Sequence, residues 1–269
     1  MVISISSYAG LYFQYDGIPS QNYDLKIVEI NTSDFRFEGG SQMETTTDKT
    51  MRSQEHNLLG AYPNNRLEFP VEIVYMGETA LSSEKAHIIK SWLFGKLNWC
   101  KLYLFNQDLA NIYFECTLKD PEDIIINGNV GWKCTVSCNA GGAWKNQKST
   151  KHQIISSPAS IVYNNTSDDN DYTYPTVTFT STSGGTFSVV NQTDTNREMK
   201  FEALLAGETI TIDGKTRRIT SSLPEREYLI LQNFNKKYLR FKRGINRLTV
   251  TGEASNLSFV CKNFYRIGG

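Results

Sequence analysis

The chain has 269 residues, of which 39% are hydrophobic and 21% are charged, and its 28 basic and 28 acidic side chains give a formal net charge of zero. That length suits one large β domain or two ordinary ones, and neutrality argues against a dedicated nucleic-acid-binding protein, which is usually clearly basic. The charge is unevenly spread: residues 1–150 carry 13 basic and 17 acidic side chains, and residues 151–269 carry 15 and 11.

The first half of the chain is predicted to be a β domain. Met1–Ser7 has neither the basic region nor the apolar core of a leader, and no apolar run reaches the ~20 residues of a membrane helix. We therefore expect a soluble protein, made in the cytoplasm, that does not insert into membranes. Pro70 suggests an edge strand or a bulge. The predicted strands are Tyr23–Ile30, Leu67–Met76, Cys100–Asn106, Asn111–Leu118 and Gly131–Cys138, the third and fourth forming a hairpin.

One helix is predicted in this half, near residues 82–97. Ser82 or Ser83 can cap its N-terminus, and Glu84 places a negative charge in its first turn, where the helix dipole favours it. Apolar residues then recur at helical spacing and predict a face that covers the sheet. They are Ala86, Ile89, Trp92, Leu93 and Leu97.

The five cysteines form no pattern typical of a secreted disulfide framework. Cys134 and Cys138 have a spacing that can belong to a metal site. In a strand, however, four residues span roughly 13 Å, so the two sulfurs cannot share one metal or one disulfide without a bend. We expect buried free thiols instead, as in a reducing compartment.

A domain boundary is predicted at 147/148, because the composition becomes small and polar over Gly141–Thr150. The second half is predicted to be an antiparallel β-sandwich without helices, with strands and turn signals every 8 to 12 residues. Asn164–Asp171 is predicted to be an acidic loop, and Asp213-Gly214 a two-residue type I′ turn. The predicted strands are PTVTFTS, GGTFSVVN, the two arms of ETITIDGKTRRIT, YLILQN, KYLRFK, NRLTVTG and NLSFVCKN.

The stretch RFKRGINRLTVTG contains four basic side chains and no acidic one, at Arg240, Lys242, Arg243 and Arg247. Its alternation of polar and apolar residues predicts a hairpin, with Gly244 and Asn246 in the turn because both tolerate positive φ angles. The cluster is too short, in too neutral a chain, to predict nucleic-acid binding. We expect these four residues to form a docking surface for an acidic partner.

The sequence contains no catalytic motif, so we predict neither an enzyme nor a bound cofactor or metal. The three histidines (His56, His87 and His152) lie in no metal-binding or nucleophile motif, and no phosphate-binding loop is present. Carboxylates that could in principle serve a glycosidase are Glu29, Glu38 and Glu44, but their separation cannot be obtained from the sequence. All four tryptophans (Trp92, Trp99, Trp132 and Trp144) lie in the first half.

Two blocks of sequence resemble the distal tail proteins (Dit-like family) of long-tailed phages. The first is KSWLFGKLNWCKLYLFNQDLANIYFECTL followed by NGNVGWKCTVSCNAGGAWK. The second is YPTVTFTSTSGGTFSVVN, then LLAGETITIDGKTRRIT, then FKRGINRLTVTGEASNLSFVCKNFYRIG. Together they cover most of the chain in the order typical of the family, and the resemblance comes from their sum because no single motif is diagnostic.

The resemblance implies a mainly β virion structural protein of the phage tail tip or baseplate. Its N-terminal domain (1–147), β-sandwich-like or barrel-like with one helix, is expected to form a homo-hexameric ring. Its C-terminal domain (148–269) is expected to be a galectin-like sandwich that offers an attachment site for side fibres or receptor-binding proteins. Expected neighbours are the tail tube protein, the lysin-like tail hub protein and the tape measure protein. DNA is expected to pass through the channel without specific binding, which the acidic first half would favour.

Two other functions are compatible with a β-rich chain. One is a carbohydrate-binding module for host recognition. Galectins bind sugar through a His/Asn/Arg cluster and a tryptophan, whereas the second half contains no tryptophan and only His152, but tyrosines can also stack on sugars and sites can be rebuilt on a fold. The other is a cell-wall hydrolase, which the few histidines and the missing motifs disfavour.

Overall fold

The computed structural model describes residues 11–29, 43–48, 57–63, 66–105, 109, 111–169 and 171–266. His56 and Glu38 fall outside these ranges. The chain divides into two compact units, one formed by the residues up to Trp144 with those from Tyr265 onward, the other by Lys145–Phe264. Strand β10 (Ala143–Lys148) crosses the division. The chain is mainly β, and its paired strands are antiparallel, as predicted.

The first unit is built on one antiparallel sheet in the order β3-β6-β9-β8-β7-β1-β2. A backbone bridge between Leu11 and Ile27 joins the β1 side to β3, so the sheet closes on itself like a barrel. Strands β4 and β5 form a separate hairpin. The bounds are β1 Phe13–Tyr15, β2 Ile18–Pro19, β3 Leu25–Glu29, β4 Met43–Asp48, β5 Asn57–Pro63, β6 Glu68–Tyr75, α1 Ser83–Phe94, β7 Cys100–Leu104, β8 Ile112–Ile126 and β9 Asn129–Cys138.

Pro70 is accommodated inside β6 because it lies beyond the reach of β3. Strand β3 pairs with β6 only over Glu72–Tyr75, whereas β9 pairs with β6 over Glu68–Val74. Pro70 can therefore sit in the strand with its ring nitrogen, which has no hydrogen to donate, away from the β9 ladder. The predicted hairpin of β7 and β8 is confirmed, with Cys100 opposite Cys116.

Helix α1 begins where the capping residue predicts. The Ser82 side chain accepts a hydrogen bond from the Lys85 backbone N–H at 3.2 Å, which satisfies one of the free donors of the first turn. Trp92 on its buried face donates from Nε1 to the Tyr15 carbonyl and stacks on Phe13. The prediction was wrong for Leu97: the helix ends at Phe94, and Leu97 is 98% exposed.

The second unit contains two antiparallel sheets, in the orders β17-β16-β13-β19-β11 and β12-β18-β14-β15. Both sheets contribute to one buried apolar core, as in a sandwich. Helix α2 follows β17. The bounds are β11 His152–Ile154, β12 Ala159–Asn165, β13 Thr176–Ser181, β14 Gly185–Asn191, β15 Arg197–Leu204, β16 Thr209–Asp213, β17 Arg218–Ser221, α2 Glu227–Gln232, β18 Gly244–Thr251 and β19 Ala254–Tyr265.

Alternation in β13 matches its sequence. Val177 and Phe179 are fully buried, whereas Thr178 and Thr180 face outward and meet threonines of β16 at 3.3 and 2.9 Å. Two neighbouring predictions were wrong. YLILQN forms helix α2, leaving Tyr228 exposed, rather than a strand. KYLRFK belongs to no strand and makes a single bridge, from Phe241 to Thr173.

The turn after Asp213 is also not the predicted type I′. Strands β16 and β17 pair in register from Asp213 to Arg218, so four residues connect them. The Asp213 carboxylate accepts hydrogen bonds from the backbone N–H groups of Lys215 and Thr216, and the positive φ falls on Arg217 rather than Gly214. Hydrogen bonds from the backbone of the loop to the Asp213 carboxylate stabilise this four-residue turn, which competes with the predicted two-residue type I′ turn.

All five cysteines are free and buried. Three of them lie opposite one another on neighbouring strands: Cys100 pairs with Cys116, and Cys116 pairs with Cys138. Burial raises the pKa of the Cys138 thiol to about 12. Within the described residues, no group of three or more His, Cys, Asp or Glu side chains is placed to hold a metal ion.

Candidate interaction surfaces

The basic segment predicted as a docking surface begins in an irregular stretch at Arg240 and ends in β18. The predicted hairpin is wrong, because β18 is already paired with β12 along one edge and β14 along the other. A strand has only two edges, so none is left for the preceding residues. The predicted alternation is nevertheless confirmed. Leu239 and Phe241 are buried, as are Leu248 and Val250, while Arg247 is exposed.

Arg240 is a structural residue rather than a free surface charge. Its guanidinium donates from Nε to Asp194 Oδ2 at 2.7 Å and from Nη2 to Oδ1 at 3.2 Å, a bidentate pair in which Asp194 is 1% exposed. The guanidinium also lies 3.7 Å from the centre of the Tyr172 ring. Burial opposes ionisation of Asp194, but hydrogen bonds from Arg240 and Tyr172 outweigh it and hold the pKa of the carboxyl below its usual range.

The turn before β18 is held by a buried asparagine. Gly244 has the predicted positive φ, at 84°, whereas Asn246 does not have a positive φ. Asn246 instead accepts a hydrogen bond from the Lys242 backbone N–H and donates to the carbonyls of Lys242 and Gly244, while the Asn191 amide donates to its Oδ1. These bonds fix the backbone between Lys242 and Arg247.

Two of the four predicted docking charges are neutralised by the chain itself. Arg240 is paired with Asp194, and Arg243 donates to Asp168 at 3.1 Å. Lys242 and Arg247 are exposed and form no ion pair within the described part of the chain. The four basic residues therefore lie along one segment, but only two of them, Lys242 and Arg247, remain available to pair with a partner.

A second basic cluster was missed by the sequence reasoning. Two loops and the first residue of β17 carry it: residues 214–217 between β16 and β17, Arg218, and residues 235–238 after α2. The Tyr238 hydroxyl joins them by donating to the Arg217 carbonyl at 2.9 Å. We call its five exposed side chains the basic rim. They are Lys215, Arg217, Arg218, Lys236 and Lys237.

The basic rim forms no ion pair with any described residue. Its sequence signals are the short runs GKTRR and NKK, each too brief to stand out alone. Only the fold shows that the two runs belong to touching loops.

In the first unit, the end of the β8–β9 hairpin carries exposed apolar side chains. We call residues 122–130 the β8–β9 ribbon. Within the described structure, β6 pairs with β9 only as far as Gly131 of β9. Strand β7 pairs with β8 only through its residues Cys100–Leu102, opposite Phe114–Cys116 of β8. Ile125 and Val130 face each other across the ribbon and are 75% and 40% exposed. An ion pair between Lys90 and Asp123, at 2.7 Å, ties the ribbon to α1.

The residues weighed for catalysis form no constellation that the structure describes. His87 is exposed on α1, and His152 lies beside Phe259, where burial lowers its pKa. The side chains of Glu29, Glu38 and Glu44 lie outside the described part of the chain. Among the described residues, no helix is long and apolar enough to cross a membrane.

The chain matches two family models that together span most of its length. Residues 8–140 match a model described as a phage tail protein N-terminal domain, and residues 143–261 match one described as a phage tail C-terminal domain. The SPbeta prophage-derived uncharacterized protein YomH of Bacillus subtilis (strain 168) is 25% identical over 249 residues, which cover 90% of this chain and 93% of that protein.

The fold is similar to that of SPP1 Dit (gp 19.1), whose crystal structure is described as a paradigm of the hub adsorption apparatus in Gram-positive infecting phages. The TM-score is 0.66 at 12% identity, and the match covers 96% of this chain and 100% of the other. This likeness shows a shared fold. Together with the family models and the prophage relative, it confirms the resemblance to distal tail proteins drawn from the sequence. With both halves matched by phage tail models, the chain belongs to the phage tail protein family that those models describe.

Proposed function

We propose that this tail protein forms a hexameric ring that joins the tail tube to the tail hub, with its second domain presented for attachment of fibres or receptor-binding proteins. The observation that carries the proposal is the fold similarity to SPP1 Dit, which covers 96% of the chain and therefore includes both units. In this proposal the first domain (1–147) makes the ring and its channel. The second (148–269) is the galectin-like outer domain.

The β8–β9 ribbon supports self-association through the first domain. A two-stranded ribbon is marginally stable alone in water, and Ile125 and Val130 gain burial only if another surface covers them. In a ring, each subunit uses one surface to contact a different surface on the next, and the contact closes after a fixed number of copies. An apolar projection on one protomer is suited to such a head-to-tail contact.

The expected neighbours follow from the same position in the tail. They are the tail tube protein on one side, the lysin-like hub protein and tape measure protein on the other, and fibres or receptor-binding proteins at the outer domain. DNA would pass through the ring without specific binding, since an acidic wall holds phosphates less than a basic one. The excess of acidic over basic side chains in residues 1–150 supports this arrangement.

In this role the protein works by binding rather than by catalysis, and it resides in the virion tail after synthesis in the host cytoplasm. Carbohydrate binding is the second candidate, and one observation favours it: Tyr228 is 73% exposed and could stack on a sugar ring. The same ring equally suits a protein contact, and the second half of the chain contains no tryptophan.

The test is the mass of the purified chain, alone and mixed with the tail tube and hub proteins of the same phage. Light scattering should give a mass six times that of the 30.5 kDa chain, and electron microscopy should show a six-fold ring. A chain that stays monomeric under both conditions, or a tail tip whose cryo-EM density holds no ring of this protein, would contradict the proposal.

A further inference from the structure

An open groove of about 490 Å³ lies beside helix α2 in the second unit. Tyr228 and Leu231 of the helix form one wall, and they are 73% and 45% exposed. Phe234, which is buried, and Tyr238 also line the groove. The groove is thus apolar and aromatic inside, and Leu231 is an aliphatic side chain that gains nothing from water.

Two of the aromatic residues that line the groove, Phe234 and Tyr238, are held by contacts with neighbouring side chains. Phe234 stacks on Phe201 of β15 at 4.6 Å, and Tyr238 meets Phe234 edge-on at 5.0 Å. The Asn235 side chain donates to the Glu198 carbonyl of β15 at 2.9 Å. A binding site whose walls are already ordered pays little conformational entropy when a ligand enters.

The mouth of the groove is positively charged. Arg217 and Lys236 line it directly, and the other members of the basic rim extend along the same two loops. Of the described residues that line the groove, none is acidic. Cations that lack internal partners raise the local concentration of an acidic ligand and speed its association.

Both cationic residues in the groove lining have left-handed backbone conformations. Arg217 and Lys236 each have a φ of 59°. A long side chain in that region costs about 1 kcal/mol or more relative to glycine, and most of the other described non-glycine residues with positive φ are Asn or Asp, which tolerate it. Backbone strain retained at two positions of one groove is an observation from which a binding role can be inferred.

We propose that this groove binds an acidic protein segment that inserts an apolar or aromatic side chain, supplied by another protein of the tail tip. The anchor would fill the space over Phe234 between Tyr228 and Tyr238, and its flanking carboxylates would pair with Arg217 and Lys236. The proposal rests on the proposed function, because it identifies where the outer domain meets a partner. Aromatic and arginine side chains around an apolar pocket are the usual composition of energetic centres in protein interfaces.

A protein segment fits this chemistry better than a glycan or a nucleic acid. Sugars and bases stack on aromatic faces, but Leu231 of the groove lining exposes aliphatic surface, at 45%. Aliphatic surface favours a partner that offers its own aliphatic or aromatic side chains. Of the four predicted docking charges, by contrast, two are neutralised internally.

The experiment uses the full chain as bait for a random twelve-residue peptide library displayed on yeast. The selected peptides should combine an excess of Asp and Glu with at least one apolar or aromatic residue. Tyr228→Ser with Leu231→Ser, and separately Arg217→Asn with Lys236→Asn, should each weaken binding of the best peptide at least tenfold. Asn accepts the left-handed backbone, so the second pair removes charge without loss of fold, which circular dichroism checks.

Matched controls come from β12 and from the basic segment that leads into β18, in the same unit. Val162→Ser changes an apolar side chain that is 62% exposed, and Lys242→Asn with Arg247→Asn removes two exposed cations without ion pairs. Both controls should leave peptide binding within twofold of the native chain. If they weaken it as much as the groove variants do, the peptide binds by general charge attraction and the proposal is wrong.

The other possible ligands are arms of the same test. Polygalacturonate and single-stranded DNA are offered as competitors over a range of charge concentrations below and above that of the selected peptide. No enrichment of peptides, enrichment without acidic residues, or displacement of the selected peptide by either polymer at lower charge concentration overturns the proposal. A ring that still forms while the groove variants bind peptide normally would leave the proposed function standing and remove this inference alone.

Discussion

Asp194 makes Arg240 an internal ion-pair partner rather than a free surface charge. A carboxylate 1% exposed to solvent needs a compensating charge, and the bidentate pair with Arg240 supplies it. The alternation of polar and apolar residues in YLRFK predicts that Arg240 faces away from the core. The same pattern cannot identify the residue with which Arg240 pairs. Asp194 is 46 positions away along the chain, and such a partner is visible only after folding.

Asp194→Asn should lower the free energy of unfolding by about 2 kcal/mol at pH 7, less than for a fully buried pair because Arg240 keeps a quarter of its side chain in water. The folded pKa of Asp194 lies below its unfolded value, so its contribution is complete above the unfolded pKa, near 4, and disappears as the pH falls through the folded pKa. Urea titrations at pH 7 and below pH 3 should show the gap between native and variant closing.

Glu202→Gln is the matched control, because it removes an exposed carboxylate whose pair with Lys200 is open to solvent. It should leave the urea midpoint unchanged at both pH values. A gap for Asp194→Asn that is equally large in acid would mean that the pair is not what the variant removes.

At the scale of elements, the hydrogen bonds within each turn determine whether a turn type predicted from a dipeptide is the one that forms. Asp213-Gly214 was expected to form a type I′ turn, but two-residue turns with two successive positive φ angles lie at Asp16-Gly17, where Tyr15 pairs with Ile18, and at Asn127-Gly128, where Ile126 pairs with Asn129. All three dipeptides suit that turn in isolation. The hydrogen bonds of the Asp213 carboxylate to its own loop distinguish Asp213-Gly214 from the other two, and these are a feature of the folded turn.

The helices show the same division between local and distant information. Helix α1 was predicted because its cap and its apolar spacing are local signals, and only its last residues were misplaced. Helix α2 is six residues long, too short to display a helical period, and its sequence YLILQ has the composition of a strand. The second basic cluster was missed for a related reason, since its two loops meet through one tertiary contact at Tyr238.

The β8–β9 ribbon supports a prediction about assembly. Ile125→Asp places a charge on a side chain that is already 75% exposed, so the isolated chain should keep its fold while a contact that buries this position should fail. We expect the mass measured by light scattering to fall from that of the proposed ring to that of the monomer, with an unchanged circular dichroism spectrum.

Val162→Asp provides the comparison for the ribbon variant, because Val162 is an exposed strand residue of the second unit at 62%. It should leave the ring mass as it is. If Ile125→Asp also assembles normally, the ribbon lies outside the protomer contact.

At the scale of the whole molecule, the two units have separate cores, and the tryptophans report on only one of them. Each core is a distinct cluster of buried apolar side chains. All four tryptophans (Trp92, Trp99, Trp132 and Trp144) belong to the first unit. Tryptophan fluorescence therefore follows the first unit alone, whereas far-ultraviolet circular dichroism follows both.

Phe179→Ala should expose this separation. Phe179 is fully buried and stacks on Phe187 at 4.0 Å, so truncation should cost the second unit about 3 to 5 kcal/mol and lower its melting temperature by at least about 10 °C. The transition seen by circular dichroism should move while the tryptophan transition stays. Val136→Ala in the first core should shift the tryptophan signal, and a Phe179→Ala shift of equal size in both signals would show that the units melt together.

The row of cysteines across β7, β8 and β9 bears on the life of the particle. A phage tail is built inside a reducing cell and then waits outside it in aerated medium, where adjacent thiols commonly become oxidised. Oxidants react with the thiolate, and burial raises the pKa of Cys138 to about 12 and that of Cys116 higher still, so almost none is present at neutral pH. Oxidation of these cysteines is therefore disfavoured for as long as the first unit stays folded.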